Sequence, residues 1–263
     1  MVTGVLPVAL EDATKAIQVF LLSGKEYLCL MQLHGDIDEE KVKSILDEFT
    51  GEIYQKPPLR SSVKREVRKR TIYAMKILEI DGRRVLFRVD CQAGTYIRKI
   101  CSDIGEALGC GAHMSELRRT RAGPFSEDEN NFTLQELQEA KRVLDEEGRE
   151  DLLRTMVRPV EEVFKHIPKM YIRDSAVDAI CHGAELAIPG IVKLETGIKP
   201  NSTVGVFTLK GEVVSLAESQ LSTEKIMESK KGIAAKTKRV IMKAGTYPRE
   251  WGSRQKESTI PSR

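Results

Sequence analysis

Ala93-Gly-Thr-Tyr-Ile-Arg-Lys-Ile-Cys-Ser-Asp-Ile-Gly-Glu-Ala-Leu-Gly-Cys-Gly-Ala-His-Met-Ser-Glu-Leu-Arg-Arg119 decides how the chain is read. It follows an alternation of Val85, Phe87, Val89 and Cys91, the mark of a strand with one buried face. The Gly94-Thr95 step then turns the backbone toward a helix. Ile97, Ile100, Cys101, Ile104 and Leu108 recur at helical spacing, so one face is buried. Gly109 and Gly111 are permissive residues that stop the helix. Tyr96 and Arg98 fall at the junction, where a rigid scaffold presents side chains to a ligand. Arg118, Arg119 and Arg121 follow as a basic rim. An aromatic ring, a guanidinium and a basic rim in one short span suit a pocket for a nucleotide.

Toward the N-terminus, residues 71–80 and 84–92 form a hairpin across Asp81-Gly82. Residues 54–70 have no periodicity, and Pro57-Pro58 with the basic run over 60–70 predicts a surface loop. Residues 38–49 predict a helix buried through Val42, Ile45, Leu46 and Phe49. Residues 25–33 predict a strand with Tyr27, Cys29, Met31 and Leu33 on one face. Residues 11–22 predict a helix with Ala13, Ile17, Phe20 and Leu21 inward. The first ten residues read as a turn and short apolar strand already under way. Toward the C-terminus, a helix over 133–147 is followed by a change of composition near His166-Ile167-Pro168. Beyond it come a short helix over 174–181 and glycine-punctuated strands over 184–188, 191–194, 203–209 and 213–217. A basic, alternating strand over 232–243 closes this part, which predicts a small β-barrel. The polar tail over 251–263 is expected to be disordered.

The chain has 263 residues and a formal net charge of only +3, so bulk charge does not mark a nucleic-acid binder. Its distribution says more. Residues 56–71 and 225–243 each carry seven Lys/Arg against one Glu, whereas residues 127–153 carry ten Asp/Glu against three Lys/Arg. Two basic segments separated by an acidic one can make a one-sided field for RNA. Cys29, Cys91, Cys101, Cys110 and Cys181 show no Cys-x-x-Cys pair, so reduced, buried thiols in the cytoplasm are expected. No run reaches the length of a membrane span. The four histidines lack metal-ligand spacing, and no phosphate loop or dinucleotide fingerprint is present, so no metal is expected. His113, in its glycine-rich surroundings, is expected in a turn with a structural role.

With these residues in view, the chain resembles the TruB/dyskerin family of pseudouridine synthases. The matching pieces are Val2-Thr-Gly-Val-Leu-Pro-Val-Ala-Leu-Glu-Asp-Ala-Thr-Lys15, Lys25-Glu-Tyr27, Gly94-Thr-Tyr-Ile-Arg98 and Gly109-Cys-Gly-Ala-His-Met-Ser-Glu-Leu-Arg-Arg119. The C-terminal part resembles a PUA domain of archaeal form through Gly232-Ile-Ala-Ala-Lys-Thr-Lys-Arg-Val-Ile-Met242 and Gly245-Thr-Tyr-Pro-Arg-Glu-Trp251. The resemblance implies an α+β fold, with a mixed, mainly antiparallel sheet and flanking helices over 1–165 and a PUA barrel over 168–250. It implies a uridine-to-pseudouridine isomerase that needs no metal or cofactor. The C1′–N1 bond breaks, the base rotates, and C5 is joined to C1′.

In the family, the residue matching Tyr27 stacks on the flipped base and assists proton transfer, and that matching Tyr96 packs in the same pocket. The residue matching Arg98 pairs with the catalytic aspartate, and that matching Leu117 lines the base pocket. Lys64, Arg65, Arg118, Arg119, Lys236, Lys238 and Arg239 are the expected RNA contacts. The implied substrates are the T-loop uridine of transfer RNA, and ribosomal RNA inside a box H/ACA guide ribonucleoprotein. Proteins of the Gar, Nop and L7Ae kinds are the implied partners.

The sequence departs from the family at one point. The family aspartate lies in Gly-Thr-Leu-Asp-Pro-x-Val-Thr-Gly, and here the x position is Met1, which puts the aspartate two residues before it. Asp12, Asp36, Asp90 and Asp103 belong to other segments by pattern. The expectation is a start codon assigned at an internal methionine; the alternative is a protein that binds RNA without turning it over.

Overall fold

The computed structural model describes residues 2–57, 64–129 and 131–249. The expected tail over 251–263 and the centre of the basic run, 58–63, lie outside the described residues. The chain forms two compact units, Met1–Val8 with Phe20–Val157 and Ala9–Val19 with Arg158–Arg263. A 3-10 helix, Glu11–Ala16, runs into α1, Ile17–Leu22.

The first unit is built on a seven-stranded sheet. Its strands are β1 (Val2–Gly4), β2 (Lys25–Leu33), β3 (Gly51–Gln55), β4 (Arg68–Asp81), β5 (Arg84–Cys91), β6 (Ala112–Ala122) and β7 (Phe125–Ser126). The order is β1-β6-β2-β5-β4-β3, with β7 on β6. Only β1 runs parallel to its neighbour, with Val2 opposite Leu117. The β4–β5 hairpin turns at Asp81-Gly82 as expected. Cys29, Met31 and Leu33 of β2 are buried, and Tyr27 packs against the same core.

Two helices cover this core. α2 (Glu39–Glu48) starts at Asp38, whose carboxylate accepts from the Glu40 and Lys41 amides, and it buries Val42 and Leu46. α3 (Ile97–Leu108) buries Ile97, Ile100, Cys101, Ile104 and Leu108, the five residues that the spacing marks. It ends on Gly109 in the left-handed region, φ +80°. α4 (Leu134–Glu147) begins with a reciprocal Thr133–Glu136 capping box, and α5 (Asp151–Met156) follows.

The structure corrects four expectations here. The loop expected over 54–70 is shorter: residues 51–55 are a strand that takes in Tyr54 and Gln55, and β4 begins at Arg68. β3 is an edge strand whose side chains are largely solvated, so it lacks the apolar alternation of an interior strand. His113 lies in β6, not in a turn, and its Nδ1 is 2.8 Å from Nε2 of His34. In the 11–22 segment the buried residues are Ala16 and Val19, while Ile17 and Leu21 are exposed. A 3-10 helix advances about 120° per residue against about 100° in an α-helix, so six such residues shift the apolar face by about 120°. Of the five cysteines, all free, Cys110 is only half-buried; the other four are buried as expected.

The second unit holds β8 (Lys169–Ile172), β9 (Leu186–Ala187), β10 (Ile191–Leu194), β11 (Thr203–Thr208), β12 (Val213–Ser219) and β13 (Ile233–Val240). They form a mixed sheet in the order β10-β8-β11-β12-β13-β9. α6 (Asp174–Cys181) and α7 (Thr223–Glu228) complete the unit. Met170, Ile172, Val204, Val206 and Val214 are fully buried, and Ala16 and Val19 join Phe164 and Phe207 in a second cluster.

Candidate functional site

The site grows from the place where β5 leaves the sheet. Cys91, its last residue, lies opposite Lys25 on one side and Ile72 on the other. The chain then turns over Gln92–Tyr96. The Thr95 amide and hydroxyl both donate to the Gln92 carbonyl, at 3.2 and 2.7 Å. Gln92 is tied back to β4: its amide donates to the Thr71 carbonyl at 2.8 Å, and its Oε1 accepts from the Thr71 amide at 3.1 Å. Gly94 has φ +80°, and the Arg70 guanidinium lies over it so closely that an added Cβ would come within 3.2 Å of Nη2. Arg70 Nε is buried without a hydrogen-bond partner among the described residues.

Tyr96 then caps α3 in an extended conformation, φ −96° and ψ 99°, without a side-chain cap. Its peptide is held by Gln55, the last residue of β3. Gln55 Oε1 accepts from the Tyr96 amide at 3.0 Å, and Gln55 Nε2 donates to the Tyr96 carbonyl at 3.2 Å. Arg98 stands in the first turn of α3, exposed and without a partner among the described residues.

The sheet supplies the opposite wall. Tyr27 of β2 lies between Val89 and Arg119, and Cys29, two residues on, lies opposite Leu117. Cys29 Sγ is 3.5 Å from Cys101 Sγ of α3, which fixes the helix on this face of the sheet. Tyr27 and Leu117 pack against the same core as Ile97, Ile100 and Cys101. The face therefore presents Tyr27, Leu117 and the opening turn of α3 together.

Burial pushes the Tyr27 phenol above its ordinary pKa; the Cys91 thiol adds to the rise, and the nearby Arg119 guanidinium opposes it. Tyr27 thus keeps its proton at neutral pH. Burial likewise pushes the Cys91 thiol up to about 12, and the contact with Cys101, together with burial, raises Cys29. Neither thiol is a nucleophile at neutral pH.

The aspartates outside the family motif are engaged elsewhere. Asp90 accepts from Arg121 Nη2 at 2.6 Å, Asp36 takes Arg83 through two bonds of 2.7 and 2.8 Å, and Asp103 pairs with Lys99. Asp12, in the second unit, pairs with Lys15 at 3.1 Å and Lys243 at 3.4 Å. Among the described residues no group of three His, Cys, Asp or Glu side chains could hold a metal ion.

The basic candidates divide into engaged and open. Arg118 Nε pairs with Glu127 at 2.7 Å, and Arg119 Nε donates to the Val5 carbonyl at 2.7 Å. Lys64 pairs with Glu66, and Arg65 Nε lies 3.4 Å from the Pro57 carbonyl. On β13, Lys238 reaches Glu218 at 3.2 Å, while Lys236 and Arg239 are exposed with no partner among the described residues. A register shift between Leu216 and Ala217 of β12 faces this segment, so the consecutive Lys238 and Arg239 are both exposed. Gln55, Gln92 and Arg70 are the residues that the sequence reading missed. Gln55 and Arg70 act on a turn far away in sequence, Gln92 ties that turn back to β4, and no local pattern signals such contacts.

Residues 34–97 match the family described as TruB family pseudouridylate synthase (N terminal domain), and residues 98–165 match the tRNA pseudouridylate synthase B C-terminal domain. Residues 168–241 match the PUA domain. A protein of Methanopyrus kandleri named "Probable tRNA pseudouridine synthase B" is 59% identical over 251 residues, 95% of this chain and 74% of that one. A Pyrococcus abyssi protein of the same name is 52% identical over 250 residues, 95% of this chain and 75% of the relative. Among solved structures, a Cbf5-Nop10-Gar1 complex matches with TM-score 0.91 and 51% identity, over 94% of this chain and 75% of that one. An H/ACA ribonucleoprotein bound to a substrate RNA containing 2′-deoxyuridine matches with TM-score 0.88 and 48% identity, over 95% and 76%. Among the described residues no helix is long and apolar enough to cross a membrane.

Proposed function

Because the chain belongs to the TruB family of pseudouridine synthases, we propose that it isomerises uridine to pseudouridine in transfer RNA, and in RNA aligned by a guide within an H/ACA ribonucleoprotein. The observation that carries this reading is the meeting of Tyr27, Leu117 and the Arg98-bearing turn of α3 on one sheet face. A uracil extracted from its stack needs an aromatic platform and an apolar wall. Tyr27 offers the platform with its hydroxyl still protonated, and Leu117 the wall. Arg98 is a fixed cation at the rim, suited to aim a carboxylate. In the family motif Gly-Thr-Leu-Asp-Pro-x-Val-Thr-Gly that carboxylate belongs to the aspartate.

In the reaction the C1′–N1 bond breaks, the uracil turns, and C5 bonds to C1′. The C5 proton then departs and N1 gains one, so atoms balance without a cofactor. We assign this chemistry to residues 1–165 and the holding of RNA to residues 168–250. The Cbf5-Nop10-Gar1 complex supports partners of the Nop10 and Gar1 kind; an L7Ae-type partner rests on the family resemblance. The five free cysteines fit a cytoplasmic setting.

The test is tritium release from a transfer RNA transcript labelled at uridine C5. Protein bearing Leu-Asp-Pro immediately before Met1 is expected to release tritium, and its Asp→Asn form is not. The 263 residues alone are expected to bind the same RNA without release. No release by the aspartate-bearing protein, or release that survives Asp→Asn, rejects the reading.

The open cations of β13 give a second expected result. Changing Lys236 and Arg239 to alanine should weaken RNA binding and flatten the dependence of log Kd on log salt by about 1 to 2. A filter-binding titration across salt concentrations measures it, and an unchanged slope removes this strand from the RNA interface.

A further inference from the structure

We propose that Gln55 is a positioning residue for the reaction: its carboxamide fixes the Tyr96 peptide and so aims the side chains of Tyr96 and Arg98. The proposal rests on the pseudouridine-synthase reading. Gln55 is 2% exposed and cannot touch an RNA base itself. Its two bonds, 3.0 Å from the Tyr96 amide and 3.2 Å to the Tyr96 carbonyl, take up both backbone groups of one residue.

The position matters because Tyr96 begins α3. Helix starts are commonly fixed by a Ser, Thr, Asp or Asn whose own side chain caps the first turn. Tyr96 has no such cap, and a planar amide from a distant strand holds its backbone instead. The same Tyr96 carbonyl receives the first helical bonds, from the Lys99 and Ile100 amides at 3.0 and 3.1 Å. Gln55 therefore sets where the first turn of the helix begins. Arg98 lies in that turn and has no described side-chain partner to hold it, so its direction follows the backbone. Gln92 and Thr71 anchor the preceding residues in the same manner, which leaves Gln55 to fix the junction itself.

Gln55→Met keeps the length and volume of the side chain and loses both bonds. In the form of the protein that releases tritium, kcat should fall about 10- to 100-fold while RNA Kd stays within about threefold, because a displacement near 1 Å at a reacting group costs up to about 10²-fold. Gln55→Glu gives a readout that a merely structural role would not move. A protonated carboxyl can accept from the Tyr96 amide and donate to its carbonyl, as glutamine does; the ionised form has no donor. Burial raises the carboxyl pKa, so the ratio of Gln55→Glu to wild-type kcat should climb as pH falls from about 8 to about 5.5.

A flat ratio overturns the proposal, and it decides the matter if Gln55→Met does not fold. Wild-type release together with an unchanged Gln55→Met kcat overturns this proposal alone, and so does a loss shared equally by kcat and Kd. An aspartate-bearing protein that releases no tritium overturns the functional reading, and this proposal with it.

Discussion

Changing Arg98 to alanine will lower turnover about 100-fold, since a hydrogen bond to an ionised partner is worth up to about 3 kcal/mol and each 1.4 kcal/mol is a factor of ten. RNA affinity will move by no more than about threefold, because phosphate contacts rather than this residue dominate binding. The first turn of α3 is fixed at Tyr96, and the helix's buried face is fixed by Cys101 against Cys29. Arg98 is thereby presented from a rigid base, exposed and without a described partner. A guanidinium so placed can donate two parallel hydrogen bonds to an incoming carboxylate. Its loss leaves that carboxylate misaimed and less favoured as an anion, which harms the chemical step and spares RNA capture. Arg98→Lys should recover part of the loss, since it restores the charge but not the planar fork. Single-turnover tritium release and filter binding, run on the same preparation, separate the two quantities. Equal losses in both would assign Arg98 to the RNA interface.

The contrast between Arg98 and its neighbours shows what could be read from the chain and what could not. β2, β5 and α3 are legible because each buries one face over many residues, so Cys29, Met31, Phe87, Val89, Ile100 and Ile104 fall into a strict period. Those elements carry Tyr27, Tyr96 and Arg98, and the site was visible to that extent. β6 is an interior strand of the sheet yet was not legible as a strand. Its register against β2 shifts between Glu26 and Tyr27 and again between Leu30 and Met31, which breaks the two-residue period in its text. β3 is an edge and shows no apolar signal. Gln55 was hidden for a different cause. A glutamine that bonds a backbone 41 residues away leaves no trace in local composition. The ion pair of Arg118 and the backbone bond of Arg119 were hidden likewise, so a run of arginines looked more open to RNA than it is.

Gly105→Ala is expected to destabilise the first unit by about 3 kcal/mol or more, the upper range for overpacking at a rigid contact. On an open helix the same change would stabilise by about 1 kcal/mol through helix propensity, so even the sign of the result is informative. A Cβ on Gly105 would stand 2.1 Å from the Ala112 amide nitrogen, 2.5 Å from the Gly111 carbonyl carbon and 2.7 Å from the Ala112 Cβ. The first two are backbone atoms at the start of β6, and the Gly111 amide donates to the Gly105 carbonyl at 2.9 Å. Neither partner can rotate away. Relief requires α3 to lift from β6, against the buried packing of Ile100, Cys101 and Ile104.

Gly109→Ala is the control. Gly109 has φ +80° with nothing within 4 Å of an added Cβ, so its cost is conformational alone, about 1 kcal/mol. Urea unfolding of the two variants should rank Gly105→Ala well below Gly109→Ala, and a neutral Gly105→Ala would refute the close approach of α3 to β6. The ranking also reaches the site. Arg98 lies seven residues from Gly105, about 10 Å along the helix axis. A lift at one end of a stiff helix swings the other, so folded Gly105→Ala protein should lose turnover beyond its unfolded fraction. Gly109→Ala, outside the helix body and under no steric load, should keep turnover in proportion to the protein that remains folded.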